Sequence, residues 1–354
     1  MDLNKLLQTV IDKKASDLHI IPNYFPTIRV GGELYQLTTL SKISPGQSEA
    51  MLIAVLNEEQ KESFLANREL DLALLYNNNR FRINLYFAQG NICGSFRLIP
   101  VKILSLEELG LPTILRQCVD FRQGLVLLTG PTGEGKSTTL ASIINIINHK
   151  YCRHIITIED PIEYVYSPSK SIISQRELHQ DTHSWTMSLK SALREDPDVI
   201  LVGEMRDFDT ISLVLTAAET GHLVFSTLHT NSAPESIDRI IDIFPPHQQN
   251  QVKNQLATVL KMVVSQRLLP KQNGIDRIPA SEILISNSAV ANTIREGKIY
   301  LLNNILETGE GEGFMLFEKS LLSLYRAGLI SKETAFSYAI RPKELEKFIK
   351  IDRV

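Results

Sequence analysis

The run Gly130-Pro131-Thr132-Gly133-Glu134-Gly135-Lys136-Ser137, continued by Thr138, constrains this chain more than any other stretch. It fits the spacing GxxxxGK[ST]. An apolar segment, Leu125 to Thr129, precedes it. Leu140, Ile143, Ile144 and Ile147 follow at the spacing of one helix face over Ser137 to Asn148. A strand, a glycine-rich turn and a helix in that order let backbone N–H groups turn inward around one point. The helix aims its positive end at the same point. Such a cradle binds the phosphates of a nucleoside triphosphate. Lys136 is placed to reach the β and γ phosphates, and the Ser137 hydroxyl to ligate Mg²⁺. The four fixed positions arise by chance in a chain of this length with a probability on the order of 10⁻². The flanking strand and helix lower that further, so a bound nucleotide is favoured over a bare glycine turn.

Around this loop the texture is that of a parallel α/β sheet, with apolar strands separated by helices. Beside Leu125 to Thr129, the strand candidates are Ile155 to Ile158, Val199 to Val202 and Leu223 to Thr227. Parallel sheets bind ligands at the carboxyl ends of their strands, and polar residues stand at each of these ends. The second strand runs into Glu159-Asp160-Pro161-Ile162-Glu163. Pro161 turns the chain and leaves Glu163 on a loop, where it is the acid best placed to polarise an attacking water. The third strand is followed by Gly203 and Glu204, an acid suited to holding Mg²⁺ directly or through water. The fourth leads through Thr227 to His229, at a position suited to sensing a γ-phosphate. Arg80, Arg82, Arg97, Arg194, Arg206 and Arg239 are candidates for offsetting charge on a transferred phosphoryl group. His179 and His183 lack a third ligand and an HExxH frame, so they read as a solvated surface pair.

A length of 354 residues is long for one core and predicts two domains. Residues 1–109 read as a small α+β domain with an opening amphipathic helix (Leu3, Leu6, Leu7, Val10, Ile11). Its strand candidates are Leu18–Ile21, Thr27–Val30, Glu33–Leu37, Leu70–Tyr76, Arg80–Phe87 and Cys93–Ile99, with a turn at Asn77-Asn78-Asn79. Residues 100–113 resemble a linker containing a short helical piece, and residues 110–354 form the nucleotide domain. Beyond residue 245 the pattern reads as all helix, with Val252, Leu256, Val259, Leu260 and Val263 on one stripe. Three scattered cysteines exclude a cysteine zinc site and a disulfide framework, and they suit a reducing compartment. A net charge of −3 offers no support for direct nucleic-acid binding. No window approaches the ~18 apolar residues that cross a bilayer. A cytoplasmic protein that meets a membrane only through partners is expected.

Four linked segments, GPTGEGKSTTL, ITIEDPIEY, SALREDPDVILVGEMRD and AAETGHLVFSTLHTNSA, occur in the order seen in the secretion ATPases of type II and type IV pilus systems. They resemble that family's Walker A, Asp box, Walker B and His box. ASDLH at Ala15–His19, IRVGGEL, RFRIN, IREGK and LYRAGLIS extend the resemblance over nearly the whole chain, closest to the pilus-retraction branch. The resemblance implies a RecA-like core, a PAS-like N-terminal domain and a helical C-terminal region. It also implies ATP and Mg²⁺ as cofactors. By matching position, Glu163 resembles the catalytic base, Glu204 the Walker B acid and His229 the His-box residue. Arg82 and Arg97 resemble first-domain arginines that reach the nucleotide. The family works as a cytoplasmic homohexamer peripheral to the inner face of the cell membrane. Its partners are an inner-membrane platform protein and paralogous pilus ATPases. Assembly and secretion members carry a further N-terminal domain and usually a four-cysteine zinc module, and neither is expected here.

Three positions depart from the pattern. Glu134 stands where Ser is usual, and its side chain is expected to face solvent, away from the phosphates. Ala289 to Glu296 reads AVANTIRE where retraction members have AIRNLIRE, and Tyr300-Leu301 replace His-Gln. The competing readings are a secretion or conjugation ATPase that drives no pilus, a nucleic-acid translocase, and a nucleotide-gated structural partner without turnover. The set Lys136, Glu163 and Glu204 argues against the last.

Overall fold

A computed structural model describes residues 2–351, apart from 78, 100, 101 and 275. The chain divides into two compact units. The first is residues 1–102 together with 161–165, and the second is 103–160 and 166–354. The segment carrying Glu163 therefore belongs to the first unit.

The first unit runs α1 (Leu3–Asp12), β1 (Asp17–Ile20), β2 (Thr27–Val30), β3 (Glu33–Gln36), α2 (Pro45–Ile53), α3 (Glu58–Asn67), β4 (Glu69–Tyr76), β5 (Asn79–Ala88) and β6 (Asn91–Ile99). Its strands form one antiparallel sheet in the order β3-β2-β1-β6-β5-β4. Strand residues alternate between faces. Leu18, Ile28, Phe81, Ile83, Leu85 and Phe96 face the helices and join Leu6, Leu7, Val10, Leu52 and Phe64 in a core. The residues between them (Asp17, Arg29, Arg82 and Arg97) occupy the opposite face. The expected strands are all present, and the expected turn at 77–79 includes Asn78, which lies outside the described residues. Helices α2 and α3 carry weak apolar stripes. Each starts instead on a capping box, Ser44 with Gln47 and Asn57 with Gln60, in which side chains satisfy the free N–H groups of the first turn.

The second unit starts with turns over Leu106–Gly110, a 3₁₀ turn at Thr113–Arg116 and α4 (Gln117–Asp120). It continues with β7 (Gly124–Thr129), α5 (Lys136–Lys150), β8 (His154–Glu159), β9 (Ile172–Glu177), α6 (Trp185–Ala192), β10 (Val199–Val202), α7 (Phe208–Glu219), β11 (Leu223–Leu228), α8 (Ala233–Asp242) and α9 (Pro246–Val259). Then come β12 (Leu260–Pro270), β13 (Arg277–Ile285), α10 (Ser288–Arg295), α11 (Leu302–Thr308), α12 (Phe317–Arg326), α13 (Lys332–Tyr338) and α14 (Pro342–Ile351). The sheet order is β13-β12-β7-β11-β10-β8-β9, parallel throughout except for β13. This is the RecA-like arrangement expected.

The all-helical reading beyond residue 245 is wrong for residues 260–285. The stripe Leu256, Val259, Leu260, Val263 does have helical spacing. The backbone nevertheless turns extended at Leu260 (ψ 129°) and pairs with β7. Without β12 the N–H and C=O groups along that side of β7 would be buried unpaired, and satisfying them outweighs local periodicity. β12 is largely buried along its length, which erases the alternation that marks a half-exposed strand.

Arg341, ahead of α14, closes the C-terminal part. Its Nη1 lies 3.1 Å from Glu318 Oε2 on α12 and 3.4 Å from Glu282 Oε2 on β13, and both carboxylates are fully buried. The Ala233 N–H donates to the other Glu282 oxygen at 2.8 Å. Burial is the largest influence on Glu282 and raises its pKa, while Ala233 and Arg341 pull it down. Arg341→Met removes the guanidinium that contacts both acids and should cost about 3–5 kcal/mol at neutral pH. A carboxyl whose folded pKa lies above its unfolded value stabilises the fold below the unfolded pKa and loses that contribution as pH rises. Thermal unfolding of the variant should therefore approach wild type as pH is lowered from about 7 to about 5. A deficit independent of pH would refute this account.

Candidate nucleotide site

The phosphate loop begins where β7 ends. Gly130 (φ 138°), Gly133 (φ 82°) and Gly135 (φ 79°) adopt backbone angles that side chains disfavour, which lets the loop curl over the first turn of α5. Two strands hold its start. Leu228 O, at the end of β11, accepts the Gly130 N–H at 3.3 Å. On the other side β12 passes so closely that a Cβ at Gly130 would lie 2.3 Å from Gln266 O.

β12 also supplies a side chain that sequence reasoning missed. Gln266 is buried at 2% exposure. Its Nε2 donates to Glu134 O at 2.7 Å, and its Oε1 accepts from Thr139 Oγ1 at 2.8 Å. One amide thus ties the outside of the loop to the first turns of α5. A lone Gln in the apolar run Val263-Val264-Ser265-Gln266-Arg267-Leu268-Leu269 was the available signal. Glu134 does not face solvent as expected. Its Oε2 accepts the Leu268 N–H on β12, beyond the last β7–β12 pair at Thr129 and Ser265. The carboxylate therefore caps an amide that β7 is too short to reach and is turned onto β12.

Lys136 is buried, and its Nζ donates to Gly130 O at 2.6 Å and Pro131 O at 2.8 Å, bracing the loop across its mouth. Ser137 is exposed at the first turn of α5, and its hydroxyl makes no hydrogen bond among the described residues. A glycine loop at the start of α5, a cation on neutral carbonyls and an available hydroxyl fit the phosphates and divalent metal of a nucleotide.

The neighbouring strand ends bring the expected acid and histidine together. Glu204 follows β10, with its side chain 15% exposed. Oε1 lies 2.6 Å from Arg206 Nε, and Oε2 lies 3.4 Å from His229 Nε2. The supporting bonds run strand to strand. Thr227 Oγ1 donates to Gly203 O at 2.6 Å, Met205 N to Thr227 O at 3.2 Å and Gly203 N to Ile158 O at 2.8 Å. A Cβ at Gly203 would meet the Trp185 ring at 3.1 Å. Arg206 is the one second-unit arginine among the candidates that meets a site acid. Arg194 precedes β10 and so stands toward the opposite edge of the sheet, and Arg239 is exposed on α8.

Residues 71–307 match the family described as type II/IV secretion system protein. The chain belongs to that family. It is 49% identical to a twitching motility protein of Neisseria gonorrhoeae, over 88% of this chain and 83% of that one. It is 43% identical to the type IV pilus retraction ATPase PilT of Pseudomonas aeruginosa, over 97% and 99%. A crystal structure of the retraction motor PilT with bound ADP superposes with a TM-score of 0.92 at 41% identity, covering 98% of this chain and 99% of that one.

The remaining expected residues of this secretion-family chain lie in the first unit. Glu163 is half-buried in the irregular stretch 160–166. Arg82 on β5 and Arg97 on β6 stand directly opposite each other in the ladder. In the second unit, Glu134→Ser should shift nucleotide affinity less than about 2-fold while costing about 1 kcal/mol of stability, the worth of one amide cap. Gln266→Leu should weaken ADP binding by about 10-fold, since the loop loses its outer tie. Equilibrium titration of both variants checks the pair, and equal affinities for wild type and Gln266→Leu would refute the buttress.

Proposed function

We propose that this chain is an ATP-hydrolysing motor that assembles as a homohexameric ring and powers retraction of type IV pili. The observation that carries the reading is the phosphate loop braced beside Glu204 and His229, in a chain alike over nearly its full length to pilus-retraction ATPases. In this reading ATP lies along the loop, and Lys136 exchanges the Gly130 and Pro131 carbonyls for β and γ oxygens. Ser137 and Glu204 would hold Mg²⁺, which would supply positive charge against the phosphates. Glu163 accepts the proton of the attacking water. Arg82 and Arg97 offset charge on the transferring phosphoryl group, and His229 couples the Walker B acid to the γ-phosphate.

The ring sits at the inner face of the cell membrane. It works there with an inner-membrane platform protein and with paralogous pilus ATPases, and without nucleic acid. Among the described residues no helix is long and apolar enough to cross a membrane.

Purified wild-type chain should hydrolyse ATP only with Mg²⁺. Lys136→Ala and Glu163→Gln should each lower turnover about 10²–10³-fold, the usual weight of one such group. Near-normal turnover in both would refute the site. In a retraction-deficient strain, wild type should restore twitching and Glu163→Gln should not. ATPase activity without restored twitching would move the assignment to a secretion or conjugation member of the family.

A further inference from the structure

The ladder of the first unit places Arg29 of β2 opposite Asp17 of β1, Asp17 opposite Arg97 of β6, and Arg97 opposite Arg82 of β5. Four charged residues therefore stand in one row across the sheet, three cations and one anion. Directly opposite residues have Cβ atoms about 4.5–5.5 Å apart, and like charges in that relation destabilise a sheet. The Arg82–Arg97 pair is such a relation. It cannot be relieved by sliding the strands, because a one-residue slip would turn Ile83 and Phe96, both fully buried, onto the polar face. A local cost fixed in place by the core is the mark of a site kept for a ligand.

Asp17 orders the row. Its side chain is only 8% exposed. Oδ1 accepts from Arg97 Nε at 2.9 Å, and Oδ2 accepts from Ser16 Oγ at 2.8 Å and lies 3.9 Å from Arg29 Nε. Arg29 is held further by its Nη1–H to Gly32 O at 2.6 Å. Arg97 is hydrogen-bonded to the acid through Nε alone, while the side chain stays 69% exposed and its terminal fork is left for another partner. Arg82 makes no hydrogen bond or ion pair among the described residues. Asp71, on the same face, lies one row away and accepts from Asn84 at 3.4 Å. His19, two residues from Asp17, bonds Ser95 Oγ at 3.3 Å, and burial lowers its pKa, so it adds no charge at neutral pH.

We propose that Asp17 is a positioning residue that holds Arg97 by Nε, so that its two terminal nitrogens and the neighbouring Arg82 meet the terminal phosphate of a nucleoside triphosphate. A guanidinium gripped at Nε presents a planar pair of donors matched to phosphate oxygens. The γ-phosphate supplies the negative charge that the Arg82–Arg97 pair lacks, and ADP does not. The inference rests on the reading above that Arg82 and Arg97 serve the nucleotide.

The test is a double-mutant cycle on the full-length chain. Steady-state ATPase, ADP affinity and thermal midpoint are measured for wild type, Asp17→Asn, Arg97→Ala and the double variant. Arg97→Ala should lower kcat by at least about 10²-fold. Asp17→Asn should lower kcat about 10-fold, with ADP affinity unchanged within about 2-fold, and should lower it no further in the Arg97→Ala background. A purely structural role would instead lower the thermal midpoint and kcat by the same factor in both backgrounds, and that result overturns the proposal. Full turnover in Asp17→Asn beside a slow Arg97→Ala also overturns it while leaving the nucleotide role of Arg97 standing. Full turnover in Arg97→Ala overturns both. If Asp17→Asn does not fold, Arg97→Lys decides, since a lysine cannot be gripped at one nitrogen and donate from two others. It should be as slow as Arg97→Ala with ADP affinity retained, and full-rate Arg97→Lys overturns the proposal.

Discussion

A phosphate loop must keep its amides converging before any phosphate arrives, and in this chain β12 supplies the outer wall that holds them. β12 pairs with β7 as far as Ser265 and Thr129 and then runs on past the end of β7, alongside the loop. Three contacts follow from that overrun. Gln266 O lies where a side chain at Gly130 would be, the Gln266 amide bridges Glu134 O and Thr139, and the Leu268 N–H is capped by Glu134. A loop held from outside needs little reordering when it binds, and the affinity of a preorganised site is not lowered by that cost.

Two acids, Glu204 and Asp17, each lie largely out of water against a cation. Glu204 is mostly buried and contacts Arg206 and His229. A carboxylate taken out of water needs such partners. Arg206 lies against Glu204 Oε1 while the guanidinium stays largely in solvent. Asp17 uses the same economy in the opposite sense. It is the buried anion that fixes an exposed arginine, and the arginine's free donors face outward.

Most of the architecture was legible because the signals were local. The apolar runs before Gly130, Glu159, Gly203 and Thr230 are buried parallel strands. What stayed hidden depended on distant partners. β12 looked helical because Leu256, Val259, Leu260 and Val263 keep helical spacing, and only the unpaired side of β7 makes that segment extended. β9 is short and polar-interrupted at the edge of its sheet, and α2 and α3 announce themselves through capping boxes rather than stripes. Within the site, Gln266 and the turned carboxylate of Glu134 required knowledge of which strand lies beside the loop. Asp17 was visible only as one letter of ASDLH, since its role comes from the register that sets Arg29 and Arg97 on either side.

The overrunning strand also joins two parts of the site that sequence kept apart. Arg267, next to Gln266, donates from Nη2 to Asn231 Oδ1 at 2.8 Å, just past His229. On the adjoining strand, Glu282 accepts the first N–H of α8 at Ala233, and it is held in turn by Arg341. The β12–β13 hairpin therefore touches the phosphate loop through Gln266 and Leu268, and the segment after His229 through Arg267 and Glu282. β12 is bonded along its length to β13, so the loop and the segment after His229 rest on one hairpin. In a nucleotide-driven machine such stiffness is useful, since a densely packed element transmits a small shift instead of dissipating it.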